Sequence, residues 1–390
     1  MNTQSVSTEH RAMTANLPAA RLATRLAFLV AGFGVACWAP LVPFAKLRLG
    51  VDDAVLGMLL LCVGLGSVTA MVVTGALSAR FGSKPIIVVG GVGLAVFLPL
   101  LVVVGTPLTL GIALLAFGAS LGSLDVAMNI HGVEVERAEA RPLMSGFHAL
   151  FSVGGFIGST LMTFLLSAHA GLRTSTLLCA ALMLGAIAIA RPRLMATART
   201  SDGPLFAAPR GIVLLLAALT AITFLVEGAL LDWSALLITR EGLVVAAQGG
   251  LGYMLFSVAM TVGRLGGDAV TARIGDRSVM FWGGVLATAG FIVLLTAPVA
   301  ALAMLGFVLI GLGASNVVPV LFRRAGSQRA MPSTLAVAAI TTTGYAGNLA
   351  GPAAVGFVAN KVGLPAAFWL LAGLLCLVPC CARLVAASRA

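Results

Sequence analysis

The chain has 390 residues, of which 60% are hydrophobic and only 9% charged, with a formal net charge of +11. A soluble globular domain carries about 25% charged residues, so this chain could not cover a water-exposed surface. The composition excludes a cytoplasmic enzyme, a disordered protein and a secreted domain, and points to a polytopic membrane protein.

Residues 1–21 read as a polar tail with no cleavable signal peptide. About 20 apolar residues cross a bilayer as a helix. Apolar stretches bounded by charges, turns and Pro/Gly breaks then predict twelve spans, at 22–46, 55–78, 85–104, 107–130, 145–168, 174–190, 211–237, 249–272, 278–297, 299–321, 333–358 and 366–386. The turns at Gly105-Thr106-Pro107 and Ala297-Pro298 are very short. Asp52 and Asp53 are expected to cap the second span. Glu134, Glu136, Arg137, Glu139 and Arg141 are expected to form a solvated loop after the fourth. Residues 387–390 are left as a short tail.

With the N-terminus placed in the cytoplasm, nineteen of the 24 Lys and Arg fall on the cytoplasmic side, Arg264 and Arg273 among them. The positive-inside rule therefore puts both termini in the cytoplasm. The basic excess is accounted for by contact with an anionic inner leaflet, and no nucleic-acid partner is implied. All six cysteines lie in apolar runs, where a thiol behaves as a small hydrophobe. No His or acid accompanies Cys376, Cys380 and Cys381, so neither a metal site nor a cofactor is expected.

One internal shift recurs along the chain. Ala79-Arg80-Phe81-Gly82 matches Ala272-Arg273-Ile274-Gly275 at an offset of 193 residues. The same offset pairs Gly57 with Gly250, Gly118 with Gly311, Gly154 with Gly347 and Gly158 with Gly351. The expected organisation is an all-α membrane protein of two pseudo-symmetric six-helix halves, 22–190 and 211–386, joined by a Pro- and Arg-containing linker at 191–210. Parallel repeats around a shared site are a known transporter plan.

Gly75-Ala76-Leu77-Ser78-Ala79-Arg80-Phe81-Gly82-Ser83-Lys84, between the second and third spans, resembles the signature loop of the major facilitator superfamily, G-x-x-x-D-R-x-G-R-K/R. Gly75, Arg80, Gly82 and Lys84 match, whereas the family's Asp is Ala79 here and the next basic position is Ser83. The resemblance implies a gating loop at these residues. Asp268, one turn from Arg264 and near Arg273, is a candidate substitute for the missing clasp. Two further segments are similar to a bacterial branch distantly like fucose-type sugar/proton symporters. They are Leu124-Asp125-Val126-Ala127-Met128-Asn129 with Met144-Ser145-Gly146-Phe147-His148, and Glu227 through Ser234.

The resemblance further implies that spans 1, 4, 7 and 10 line a midplane cavity, with spans 2, 5, 8 and 11 flanking it. A charge at the centre of a membrane helix costs roughly 2.5–3.5 kcal/mol on insertion scales, so such residues are functional by default. Asp125 and Asn129 share one face of span 4. Glu227 in span 7 forms a polar stripe with Thr220, Thr223 and Ser234. Ser145, His148 and Ser152 do so in span 5, and Thr341, Tyr345 and Asn348 in span 11. Asn316 stands in span 10, and Trp38 in span 1 offers a flat face to a ring-shaped ligand. No Lys or Arg is expected at comparable depth, and burial disfavours the charged form of a carboxyl. Asp125 and Glu227 are therefore the candidate proton carriers, and Asn129, His148, Trp38, Asn316, Tyr345 and Asn348 complete the candidate substrate- and proton-binding set. Ser and Thr hydroxyls within membrane helices also bond their own backbone or a neighbouring helix, which is the plain alternative for Thr220, Thr223 and Ser152.

There is no G-x-x-x-x-G-K-S/T loop, so ATP is not expected to drive the protein directly. The expectation is a monomeric secondary active transporter of the inner membrane. It would move a small polar solute such as a sugar by alternating access, with proton symport. A drug or metabolite exporter by proton antiport is the alternative; a membrane sensor or enzyme is remote. Span 5 has Gly154, Gly155 and Gly158 but lacks the Gly-Pro that closes the family's antiporter pattern, which favours symport.

Overall fold

A computed structural model describes residues 17–51, 53–196, 208–245 and 248–387. Most of the expected N-terminal tail, the middle of the expected linker, Asp52 and the last three residues lie outside the described set. Every regular element among the described residues is helical. The first half holds α1 (Leu17–Trp38), α2 (Val42–Leu49), α3 (Asp53–Phe81), α4 (Ser83–Val103), α5 (Pro107–Glu139), α6 (Met144–Ser167) and α7 (Leu172–Ala190). The second holds α8 (Ile212–Arg240), α9 (Leu251–Thr296), α10 (Ala300–Ala314), α11 (Val317–Ser327), α12 (Ser333–Val362), α13 (Leu364–Leu375) and α14 (Leu377–Ala387).

Ten stretches among the described residues are long and apolar enough to cross a membrane. That is fewer than twelve, and the geometry shows why. The expected spans at 249–272 and 278–297 are continuous in α9, whose 46 residues are interrupted only by Gly275. The 30-residue α12 corresponds to the expected span at 333–358 and is not among the ten.

Local chemistry sets the boundaries. Gly82, between α3 and α4, has φ 81° and ψ 164°. Gly275 has φ 78° and ψ 161°. That region is open essentially to glycine alone, so the two matching tetrapeptides close on the same turn. The short turn before α5 works because Thr106 and Thr109 cap reciprocally, each side-chain oxygen accepting the other's backbone N–H at 3.2 Å, while Pro107 occupies the first helical position. The charged loop expected after the fourth span is instead helix. α5 runs on to Glu139, Glu136 is buried, and Glu139 pairs with Arg21 at 3.2 Å and Arg141 at 2.6 Å. These acids have helical neighbours to bond, which a count of charges could not reveal.

The chain divides into two compact units, residues 1–141 with 150–206, and 142–149 with 207–390. The first turns of α6 thus belong to the second unit. Within the units the 193-residue shift reappears as contacts. A Cβ on Gly118 would overlap the Val63 carbonyl, binding α5 against α3. Gly311 meets the Phe256 carbonyl in the same way, binding α10 against α9, and both partners are 193 apart. Gly154 lies against Leu29 and Gly347 against Ala221, nearly the same relation. Membrane helices associate through such small-residue contacts because lipid offers no hydrophobic drive.

A second matched pair ties helix ends. His131 in α5 accepts the Met195 N–H on Nε2 at 3.0 Å and faces Thr24 Oγ1 through Nδ1 at 2.9 Å. The Thr24 hydroxyl donates to Ala20 O, so Nδ1 carries the proton. Arg324, 193 residues on, donates to Ala386 O at 3.1 Å near the end of α14. Different side chains thus fasten the corresponding helix to the chain end of each unit.

Candidate functional site

Two polar clusters are buried among apolar helices, one in each unit. In the first, Asp125 and Asn129 share a face of α5. The Asn129 amide donates to the Asp125 carbonyl at 2.9 Å and to its carboxylate at 3.3 Å. Both residues are buried, and Asn129 Oδ1 has no hydrogen-bond partner among the described residues. Trp38 is buried at the end of α1 with its Nε1–H likewise unpartnered. The Thr24–His131 contact fixes the register of α1 against α5 and places Asp125 level with Val30. Trp38 therefore stands about 12 Å further along α1, at 1.5 Å per residue, so the structure does not bring it to Asp125.

The second cluster centres on a residue that the sequence reading misplaced. The charge pattern of the sequence places Arg264 with the cytoplasmic ends and leaves no basic residue at the depth of Glu227. In the structure Arg264 is buried and its Nη2 lies 3.8 Å from Glu227 Oε1. The reason is helix length: Arg264 is eleven residues before Gly275, roughly 16 Å from that end of the helix at 1.5 Å per residue. The pair is too long for a hydrogen bond, and Glu227 Oε1 has no hydrogen-bond partner among the described residues.

The opposite face of Arg264 meets a helix break. α10 stops at Ala314, α11 starts at Val317, and Asn316 between them has φ −108° and ψ 1°. The break exposes the Ser315 carbonyl, which accepts from Arg264 Nε at 3.3 Å. Asn316 Nδ2 donates to Gly263 O at 3.1 Å and to Ser315 Oγ at 2.9 Å, leaving its Oδ1 unpartnered among the described residues. Gly267 abuts both Asn316 Oδ1 and the Ser145 side chain, so any Cβ there would expel them.

Asp268 is one turn beyond Arg264. Its carboxylate accepts the backbone N–H of Ser145 at 2.9 Å and of Gly146 at 2.8 Å, at the N-terminus of α6. A carboxylate there is favoured by unsatisfied amides and by the helix dipole. Asp268 therefore fastens α6 through its backbone, a partner that its expected pairing with Arg264 and Arg273 did not suggest. Of the signature loop, Gly82 makes the turn and Arg80 is exposed with its guanidinium 5.3 Å over the Phe81 ring. Lys84 is half-buried in the first turn of α4, and Gly75 is inside α3. Arg273 is exposed at the end of the first limb of α9.

The remaining candidates surround the second cluster to different degrees. His148 packs against Phe322 with ring centroids 5.5 Å apart. Tyr345 meets Phe224 edge-on at 6.1 Å. Asn348 lies against Gly228, where a Cβ would approach its Oδ1 to 2.7 Å. Thr220 and Thr223 donate to their own helix, at Leu216 O and Leu219 O, so their half of the stripe is satisfied locally. Ser315, whose carbonyl accepts from Arg264 and whose hydroxyl accepts from Asn316, is not among the residues expected from the sequence. A signal was present: Gly263-Arg264 and Gly267-Asp268 repeat a glycine-plus-charge pair at the spacing of one turn. No group of three or more potential metal ligands occurs among the described residues.

Chemically, the second cluster is a cation facing electron-rich oxygens, several of them without a donor. Long apolar helices with polar clusters held among them are the architecture of a multi-pass membrane protein. The profile of the Major Facilitator Superfamily matches residues 25–330. A Yersinia pestis protein described as an uncharacterised MFS-type transporter is 48% identical over 366 residues, covering 94% of this chain and 95% of the relative. The membrane protein MosC of Rhizobium meliloti is 31% identical, covering 90% and 87%. Among solved structures, the human organic anion transporter MFSD10 aligns with a TM-score of 0.75 at 16% identity, over 95% of this chain and 99% of its own. The E. coli fucose:proton symporter FucP aligns at 0.73 and 15%, over 94% and 98%. The chain belongs to the major facilitator superfamily and is a multi-pass membrane transporter.

Proposed function

We propose that this protein is a monomeric proton-coupled symporter that carries a small polar solute across the inner membrane, with Glu227 exchanging the proton. Its halves, 22–190 and 211–386, alternate access to the solute, and both termini and the linker lie in the cytoplasm. The observation that carries the reading is the long Glu227–Arg264 pair, in which Arg264 is buried and Glu227 half-buried. Removing one partner of a buried ion pair costs about 3–5 kcal/mol because the other charge is left uncompensated. Protonating Glu227 does this to Arg264. Solute oxygens placed against the guanidinium restore the balance, so proton uptake and solute binding favour one another. Asn316, with a free Oδ1, accepts from a solute hydroxyl, which suits a sugar. FucP, a fucose:proton symporter of the same fold, is consistent with this choice.

The test uses purified protein in proteoliposomes and a solute found by thermal shift across sugars, amino acids and organic acids. Glu227→Gln should bind the solute and exchange it between compartments, yet lose accumulation driven by a pH gradient. Gradient-driven accumulation at the wild-type level in Glu227→Gln sinks the assignment. A second reading is favoured by Arg264 itself: the solute is an organic anion whose carboxylate replaces that of Glu227. It predicts that sugar acids, not sugars, produce the thermal shift.

A further inference from the structure

The second unit carries a groove lined by none of the residues of the Glu227–Arg264 cluster. It lies between the start of the second limb of α9 and the first two turns of α14, with a cavity volume of about 540 Å³. Its walls include Arg277, Ser278, Phe281 and Trp282 from α9, and Pro379 and Arg383 from α14. Gly284 lets Pro379 seat directly on α9, where a Cβ would meet the Pro379 nitrogen at 2.9 Å, and so closes the groove floor.

The charge of this groove is not neutralised by its surroundings. The nearest acid in sequence, Asp276, is buried and engaged by Arg323 on Oδ1 at 2.5 Å and Arg324 on Oδ2 at 2.7 Å. Arg277 and Arg383 are exposed and make no ion pair or hydrogen bond among the described residues. Behind the arginines come aromatic rings. Phe281 and Trp282 pack edge to face at 5.1 Å, and Trp282 is 63% exposed on a helix that spans the membrane. Beyond them the outward side chains are apolar: Val285 and Ile292 on α9 and Leu377 on α14. The order along the helices is cation, aromatic ring, hydrocarbon. That order matches the headgroup, interface and acyl layers of a bilayer leaflet. Basic pockets between membrane helices hold anionic headgroups, at about 1 kcal/mol per Arg near the surface.

We propose that this groove binds an anionic phospholipid, its phosphodiester between Arg277 and Arg383, its glycerol hydroxyl or ester near Ser278, and one acyl chain along Phe281, Trp282 and Val285. Two guanidiniums on opposite walls suit one phosphate with two non-bridging oxygens. The aromatic and apolar stretch beneath them has no use for free phosphate, so the occupant is a lipid.

The experiment is native mass spectrometry with thermal-shift measurement on the full chain in neutral detergent. The probes are palmitoyl-oleoyl phosphatidylglycerol, the corresponding phosphatidylcholine, and inorganic phosphate. Phosphatidylglycerol should stay bound and raise the melting temperature; the other two should do neither. In R277Q/R383Q the affinity for phosphatidylglycerol should fall about 30-fold, a factor of about five for each arginine, while R277K/R383K should retain binding. Both variants alter exposed side chains, so their melting without lipid serves as the folding control. Equal retention of the two lipids, a shift reproduced by phosphate alone, or undiminished binding to R277Q/R383Q overturns the proposal.

Discussion

Asp268→Asn isolates the carboxylate that holds the start of α6. The wild-type oxygens each accept one backbone N–H, at 2.9 and 2.8 Å. Asparagine keeps one acceptor of similar geometry and loses the other, together with the negative charge at a helix N-terminus. A hydrogen bond to a charged group contributes about 1.5–3 kcal/mol, and the charge–dipole interaction typically 0.3–1 kcal/mol. With some relaxation, a loss of about 2 kcal/mol is expected, which corresponds to roughly a 30-fold change in an opening equilibrium. Hydrogen exchange read by mass spectrometry on peptides covering 143–149 measures this opening directly. The amides of Ser145 and Gly146 should exchange about 30-fold faster in the variant, while peptides from α3 and α5 stay unchanged. Unaltered exchange at 143–149 refutes the argument that Asp268 secures this helix end.

Four further outcomes are expected. Arg264→Gln should lower the melting temperature more than Glu227→Gln/Arg264→Gln does, because the single change leaves a half-buried carboxylate unpaired; equal effects would remove the case for coupling between them. Gly118→Leu and Gly311→Leu should both prevent stable folding, judged by gel-filtration profile, since each would drive a side chain into a neighbouring backbone carbonyl; normal elution of either is inconsistent with the observed packing. His131→Ala should speed proteolysis just after α7 by releasing the Met195 N–H, and Arg324→Ala should do the same near Ala386; digestion unchanged from wild type counts against both ties. Reporter tags at the N-terminus, at 191–210 and at the C-terminus should all report cytoplasm; a periplasmic linker would overturn the proposed topology.

Apolar length and glycine spacing carried the architecture, because in lipid these are what membrane helices obey. The tetrapeptides at Gly82 and Gly275 announced two turns that the backbone angles bear out. Asp125 and Asn129 were legible as one face because they sit on a single uninterrupted helix. Arg264 was not. It fell inside the expected 249–272 span, yet a loop-charge tally absorbed it, and only the length of α9 shows how far from the end it stands. The break at Ser315–Asn316 was equally hidden. No proline or glycine occupies it, and its stabilisation comes from Arg264 and from the Gly263 carbonyl, on another helix.

The repeat also separates scaffold from chemistry. Under the 193-residue shift, the glycines that admit neighbouring backbones fall on glycines: Gly118 on Gly311, Gly154 on Gly347, Gly82 on Gly275. The charged residues of the two buried clusters do not follow, although Arg80 falls on Arg273 at the turns. Glu227 falls on Gly34, Arg264 on Met71, Asp268 on Gly75, and Asp125 on Val318. A glycine contact is specified by close backbone approach, which both units need equally. An intramembrane charge destabilises insertion and persists only where it acts, so it need appear once. On that reasoning the ion pair and the helix-end carboxylate belong to the working asymmetry of the second unit. The first contributes Asp125 and Asn129, an acid whose carboxylate accepts from a neutral amide. Asp125→Asn should then weaken solute binding itself, whereas Glu227→Gln should spare binding and abolish proton-driven accumulation. Equal loss of binding in both, measured by the same thermal shift, would show that the two units do not divide the work in this way.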